Sequence, residues 1–304
     1  MIVARTIDDA RAAVQRLPRP LGLVPTMGAL HGGHLSLVQA ARERCASAAA
    51  SIFVNPTQFG PDEEWAAYPR GEAHDLELLQ ADGIDLAFVP TVEEMYPAGF
   101  ATTVHVGGEP AVAFEGAGRP GHFDGVATVV AKLLVIIRPD VAFFGEKDAQ
   151  QLAVVRRMIS DLDLPVRVES LATAREPDGL ALSSRNQRLT AAERTVAPRL
   201  YRALCAGREA ARAGERTTED VVAAVRAVLA GDGSAEGPGF MVDYVAVVDP
   251  DSFAPLAAPR PGGLIVAAAR LGSVRLVDNL FLDGGDSCPA VELCNDFDPA
   301  AREG

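Results

Sequence analysis

A chain of 304 residues, 48% of them apolar, has room for one large packed domain or two ordinary ones. Its 28 basic residues stand against 41 acidic ones, and a net charge of −13 repels a phosphate backbone, so nucleic acid is not the expected partner. No apolar run reaches membrane-spanning length and Met1-Ile2-Val3-Ala4-Arg5 lacks a signal-peptide layout, which gives the expectation of a cytoplasmic protein with no membrane partner.

In chain order, Thr6–Leu17 places Ile7, Ala10, Val14 and Leu17 at helical spacing. Leu21–Val24 reads as a buried strand and Leu35–Ala50 as a helix. Between them stands Pro25-Thr26-Met27-Gly28-Ala29-Leu30-His31-Gly32-Gly33-His34. Strand, Gly-rich turn and helix start in that order aim backbone N–H groups and a positive helix end at an anion. Glycine lets a phosphate come close, and histidine can donate a hydrogen bond to it. The plain alternative is a strand-to-helix loop that happens to hold two histidines. Further on, Ser51–Val54 reads as a strand, Glu72–Ala81 as a helix closed by Gly83, and Ile84–Val89 as a strand. Val126–Ile137 reads as an apolar helix stopped by Arg138-Pro139, Val141–Phe144 as a strand, Ala149–Ser160 as a helix and Val166–Glu169 as a strand.

Apolar strands alternating with helices predict a parallel sheet covered on both faces, with ligands beyond the carboxyl ends of the strands. Polar residues after each strand should then converge on one crevice. Three loops answer to that: the histidine turn, Asn55-Pro56-Thr57-Gln58-Phe59-Gly60, and Gly145-Glu146-Lys147-Asp148-Ala149-Gln150-Gln151. From about Arg175 the texture changes. Ser183-Ser184-Arg185-Asn186 is a polar connector, and Thr190-Ala191-Ala192-Glu193 is a capping box opening a helix to about Ala213. Thr217–Ala230 reads as a second helix and Gly231–Gly239 as a Gly-rich loop. Met241–Val248, Leu264–Ala269 and Val274–Leu282 read as antiparallel strands. The polar, acidic stretch 284–304 reads as a loose tail. Cys45, Cys205, Cys288 and Cys294 are scattered without a C-x-x-C pair, which speaks against zinc and against a disulfide framework.

Five ordered stretches carry a resemblance: PTMGALHGGHLSLV at 25–38, FVNPTQFG at 53–60, EGAGRPGHFDGVATVVAKL at 115–133, FGEKDAQQL at 144–152 and REPDGLALSSRNQRL at 175–189. The sequence resembles the pantothenate synthetase (pantoate–β-alanine ligase) family. The resemblance implies a Rossmann-like parallel-sheet domain over 1–174 that binds ATP and pantoate, and a smaller α+β lid over 175–283. It also implies Mg²⁺ with ATP, and a homodimer. The implied reaction makes a pantoyl adenylate and pyrophosphate, and β-alanine then displaces AMP to give pantothenate.

It further implies roles for single residues. His31 and His34 contact the ATP phosphates as charge builds on the α-phosphorus, and Lys147 and Arg185 neutralise the triphosphate. Ser183 and Ser184 add contacts to ATP, as do Met27 and Gly28. Gly145 and Asp148 lie by the ribose, and Ala174 and Leu182 offer backbone to the adenine. Gln58 and Gln151 hold pantoate, with Pro25 and Met27 against it. Asn55 and Gln58 line the β-alanine side. Asp75 is the magnesium-linked carboxylate, although His74 stands where relatives carry an acid. Gly32 likewise stands where the family often has Glu. Glu115, Arg119 and His122 support the site. Three other readings compete: a nucleotidyltransferase acting on another acid, a nucleotide sensor without catalysis, and an aminoacyl-tRNA synthetase. The Gln58/Gln151 pair, the retained histidines and Lys147, and the lack of an RNA-binding module speak against them in turn.

Overall fold

The computed structural model describes residues 1–60, 65–213, 217–231 and 238–283. The expected tail at 284–304, most of the Gly231–Gly239 loop, Cys288 and Cys294 lie outside the described residues. The chain divides into two compact units. The first holds Met1–Glu146 and Gln150–Leu171, and the second holds Lys147–Ala149 and the described residues from Ala172 onward.

The first unit is a six-stranded parallel sheet of β1 (Ile2–Ala4), β2 (Leu21–Thr26), β3 (Ser47–Ile52), β4 (Leu86–Phe88), β5 (Val141–Gly145) and β6 (Arg167–Leu171). The order is β1-β4-β3-β2-β5-β6, so the chain leaves β2 towards one edge and later returns to its other side. The strands alternate strictly. Leu21, Leu23, Ala49, Leu86, Phe88, Ala142 and Phe144 join one core with the helices Ile7–Val14, His122–Ile137 and Ala149–Asp161. Val24, Ala48, Ala50, Ala87, Val141 and Phe143 join the other, under the helices Gly32–Arg44 and Glu72–Ala81. Both faces are covered, as a parallel sheet requires.

One expectation is overturned. The helix predicted to reach Ala50 ends at Arg44, and Ser47–Ile52 is a strand, every residue of it buried. Alanine favours a helix by intrinsic propensity, but this segment pairs with β2 and β4 on its two edges, and tertiary context overrides the propensity. β1 has no counterpart among the predicted elements: three residues carry no period, and Ile2–Ala4 is a strand because it pairs with Leu86–Phe88.

In the second unit β7 (Phe240–Val248), β8 (Leu264–Leu271) and β9 (Val274–Phe281) form an antiparallel sheet in that order. Leu271 pairs with Val274 across a two-residue turn whose Gly272 has φ +57°. The helices Arg199–Arg212 and Thr218–Ala230 bury Leu200, Leu204, Val221, Val225 and Leu229 with Val245, Val247, Ile265 and Ala267. The predicted capping box at Thr190 is present, but the single helix to Ala213 is two, Ala191–Val196 and Arg199–Arg212. Pro198 lacks the N–H that a continuous ladder needs.

Candidate active site

The histidine turn grows directly out of β2. The Thr26 hydroxyl donates to the Ser51 carbonyl at 2.7 Å and accepts the Gly28 N–H at 3.1 Å. The Phe53 N–H donates to the Thr26 carbonyl at 3.1 Å, which ties the ends of β2 and β3 together. The chain then turns through two consecutive left-handed residues, Gly28 at φ +79° and Ala29 at φ +51°. For Ala29 that conformation costs roughly 1–2 kcal/mol. Asp75, 2% exposed in the first turn of the Glu72–Ala81 helix, holds it: Oδ2 accepts the Ala29 N–H at 2.9 Å and Oδ1 accepts the Leu30 N–H at 2.8 Å. A side chain at position 28 would bring its Cβ to 2.8 Å from Asp75 Oδ2, so the close approach itself requires glycine.

His31 caps the Gly32–Arg44 helix, its Nδ1 accepting the Gly33 N–H at 3.2 Å. A neutral His31 therefore carries its proton on Nε2. His34 lies one turn in, with the two ring centroids 4.1 Å apart. Two imidazoles and the positive end of a helix share this spot, an arrangement suited to polyanions. Met27 and Pro25 are half-buried beside it.

The loop after β3 is built from side-chain amides. Asn55 is fully buried. Its Nδ2 donates to Gln58 Oε1 at 2.9 Å and to the Gly125 carbonyl at 3.1 Å. Its Oδ1 accepts from the Thr57 hydroxyl at 2.9 Å and the Tyr96 hydroxyl at 2.8 Å. Burial pushes the Tyr96 phenol above its ordinary pKa, so it remains a donor. With both donors spent inside the protein, Asn55 fixes Gln58. The Gln58 carbonyl accepts from His122 Nδ1 at 2.8 Å, so a neutral His122 has Nε2 as the acceptor facing Arg119 Nη1 at 3.0 Å. Arg119 Nη2 reaches the same carbonyl at 3.3 Å. Gly125 packs so closely that a Cβ would lie 2.3 Å from the Thr57 carbonyl oxygen.

Gln151 is half-buried at the start of the Ala149–Asp161 helix. Its neighbour Gln150, not singled out from sequence, is buried and ties down the segment before Glu115. Its Nε2 donates to the carbonyls of Pro110 and Ala113 at 3.0 and 2.8 Å, and its Oε1 accepts the Glu115 N–H at 3.1 Å.

The remaining predicted residues belong to the second unit, except Gly145, which ends β5 opposite Leu171. Lys147 follows β5 by two residues, with Nζ 3.3 Å from Asp148 Oδ1. Its carbonyl accepts from Asn279 Nδ2 at 2.9 Å. Behind Asn279, Asp278 holds Arg175 through two bonds of 2.6 and 2.9 Å, and Arg175 lies 4.0 Å over the Tyr201 ring. Sequence reasoning missed this network; its signal is the pair of adjacent polar residues Asp278-Asn279 inside the strand Val274–Phe281. Leu182 donates its N–H to the Ala174 carbonyl at 2.9 Å, so the two positions assigned to adenine are bonded to each other. Ser183 Oγ caps the short helix Ser184–Arg188, and Arg185 within it is exposed.

The residues do not fit a protein-held Mg²⁺. Both Asp75 oxygens are engaged by backbone, and among the described residues no group of three His, Cys, Asp or Glu could hold an ion. Mg²⁺ keeps waters and substrate phosphates as ligands, so it would come with the ATP substrate.

The model of the family described as pantoate-beta-alanine ligase matches residues 2–281. The pantothenate synthetase of Chloroflexus aggregans is 53% identical over 285 residues, 93% of this chain and 100% of that protein. The crystal structure of pantothenate synthetase from Thermus thermophilus aligns with a TM-score of 0.87 at 49% identity, covering 93% of this chain and 99% of that one. The pantoate-beta-alanine ligase of Francisella tularensis, solved with beta-gamma ATP and beta-alanine, aligns with a TM-score of 0.75 at 31% identity, covering 94% and 100%. A match that runs unbroken through both units, on top of the histidine turn and the amide loop, places this chain in the pantoate–β-alanine ligase family.

Proposed function

We propose that this chain condenses pantoate with β-alanine to pantothenate, cleaving ATP to AMP and pyrophosphate. A pantoate carboxylate oxygen attacks the α-phosphorus, the bond to the bridging oxygen breaks, and pyrophosphate leaves. The β-alanine amine then attacks the acyl carbon of the pantoyl adenylate, the C–O bond to AMP breaks, and the amine's proton passes to solvent. Both steps need positioning and charge neutralisation rather than a nucleophilic side chain.

In this reading His31, through Nε2, and His34 donate to phosphoryl oxygens at the head of the helix. Lys147 and Arg185 offset the triphosphate charge, with Ser183 and Ser184 beside Arg185. Gly145 and Asp148 take the ribose, and Ala174 and Leu182 the adenine, through the backbone groups their mutual bond leaves over. Gln58 and Gln151 orient pantoate against Pro25 and Met27 without adding a charge or a competing amine, while Met27 and Gly28 also contact ATP. β-Alanine approaches the Gln58 side, with Asn55 holding that amide in place. Mg²⁺ arrives with ATP and shields its phosphates. We assign catalysis to residues 1–174 and a lid to 175–283, and infer a cytoplasmic homodimer. Among the described residues no helix is long and apolar enough to cross a membrane.

The observation that carries this reading is the family match over residues 2–281. The test is to incubate the protein with ATP, Mg²⁺, pantoate and β-alanine. AMP should accumulate only when both organic substrates are present. AMP formed with a different acid in place of pantoate would favour a related adenylyl-transferring activity.

A further inference from the structure

We propose that Asp75 is a positioning residue for the phosphate-binding turn and not a ligand of a resident metal. The inference deepens the reading above and rests on it. The carboxylate is 2% exposed and spends one oxygen on each of two successive N–H groups, Ala29 and Leu30. These follow Gly28 at φ +79°, and Ala29 itself sits at φ +51°, where a side-chain-bearing residue stays only if its surroundings hold it. Asp75 supplies that hold. Two residues later His31 opens the helix, so the carboxylate sets the direction in which both imidazoles leave the sheet. A Mg²⁺ ion needs near-octahedral oxygen ligands with several waters, and a carboxylate 2% exposed, with an N–H already on each oxygen and no group of metal-ligating side chains around it among the described residues, leaves no room for them.

The role predicts a specific coupling. Asp75→Asn sets an amide NH₂ against one of the two backbone N–H groups, donor facing donor. KM for ATP should rise about tenfold or more while KM for pantoate stays within about twofold, because the interaction lost bears on the ATP subsite. The midpoint of a free-Mg²⁺ titration at fixed ATP should not move. Ala29→Gly alone should be near neutral, since glycine adopts φ +51° without strain. Placed in the Asp75→Asn background, it should restore about threefold or more of kcat/KM for ATP, a coupling that independent sites do not show. Gly28→Ala, which pushes a Cβ to 2.8 Å from Oδ2, should reproduce the Asp75→Asn phenotype and serves if Asp75→Asn does not fold.

A shifted Mg²⁺ midpoint without rescue by Ala29→Gly would overturn the proposal in favour of a metal role. So would wild-type KM for ATP in both Asp75→Asn and Gly28→Ala. Direct titration of each variant with ATP, in the absence of organic substrates, reads the same loss. A wild-type protein that binds ATP but makes no pantothenate would sink the ligase reading and leave this one standing.

Discussion

The turn after β2 and the loop after β3 leave neighbouring strands of one sheet, yet they are made of opposite material. The first is built from backbone: two left-handed residues, N–H groups gripped by the buried Asp75 carboxylate, and the head of a 13-residue helix. The second is built from side chains: Asn55 and Gln58 bonded to each other, to the Gly125 carbonyl and to the Tyr96 hydroxyl. The N–H groups of Gly28, Ala29, Leu30 and Gly33 are spent inside the protein, so what the turn offers an anion is its two imidazoles and the positive end of the helix. Neutral amides that donate and accept can orient a small acid without changing its charge, but only if a satisfied network fixes which way each amide points. In the proposed reading the turn answers to charge and the loop to shape.

Five substitutions bear on that difference. The largest effect is expected where charge develops: His34→Ala or Lys147→Ala should lower kcat by about 10²- to 10³-fold with an unchanged thermal midpoint. Turnover near the wild-type rate in both would remove the electrostatic roles proposed for the turn and for Lys147. Next, Asn55→Ala removes the donor to Gln58 Oε1 and the acceptor of the Thr57 and Tyr96 hydroxyls together, and should cost about 1–3 kcal/mol of stability in urea unfolding. The contrast with His34→Ala is the point, since one should be silent in stability and the other not. Third, Gln58→Ala should raise KM for pantoate about tenfold and leave KM for ATP in place, because about 1.4 kcal/mol of orienting interaction is lost on one substrate only. Equal loss for both substrates would merge the two regions into one.

The smallest effect lies at the opposite end of β2. Burial alone would raise the Asp140 carboxyl, but the Leu21 N–H at 2.6 Å and the Arg19 guanidinium at 2.8 Å outweigh it and hold the group below its ordinary value of 3.8. A pKa lowered on folding adds stability above the unfolded value, and that stability is lost as pH falls through the folded one. Asp140→Asn should therefore cost about 1 kcal/mol or less at neutral pH, the pair being half-exposed and solvent-screened. The cost should vanish in acid, and kcat should not change. An altered kcat would show that the amino end of the strand, and not only its carboxyl end, bears on the chemistry.

The composition and the ordered motifs of the chain were enough to determine its layered α/β character, the meandering second unit, the histidine turn at the end of a buried strand and the family to which all of it belongs. Those features are local: a period of two or 3.6, a cap three residues from its partner, or a run of residues that chemistry constrains one by one. Tertiary structure alone decided the rest. It made Ser47–Ile52 a strand against the helical preference of its alanines, because the segment pairs with β2 on one side and β4 on the other. It turned Asn55 inward and set Asp75 on the backbone of a turn 45 residues away in sequence. It bound Asn279 to the Lys147 carbonyl from 132 residues away. A residue type announces that it can donate, accept or carry charge; which partner it meets depends on packing between segments that the linear order keeps apart.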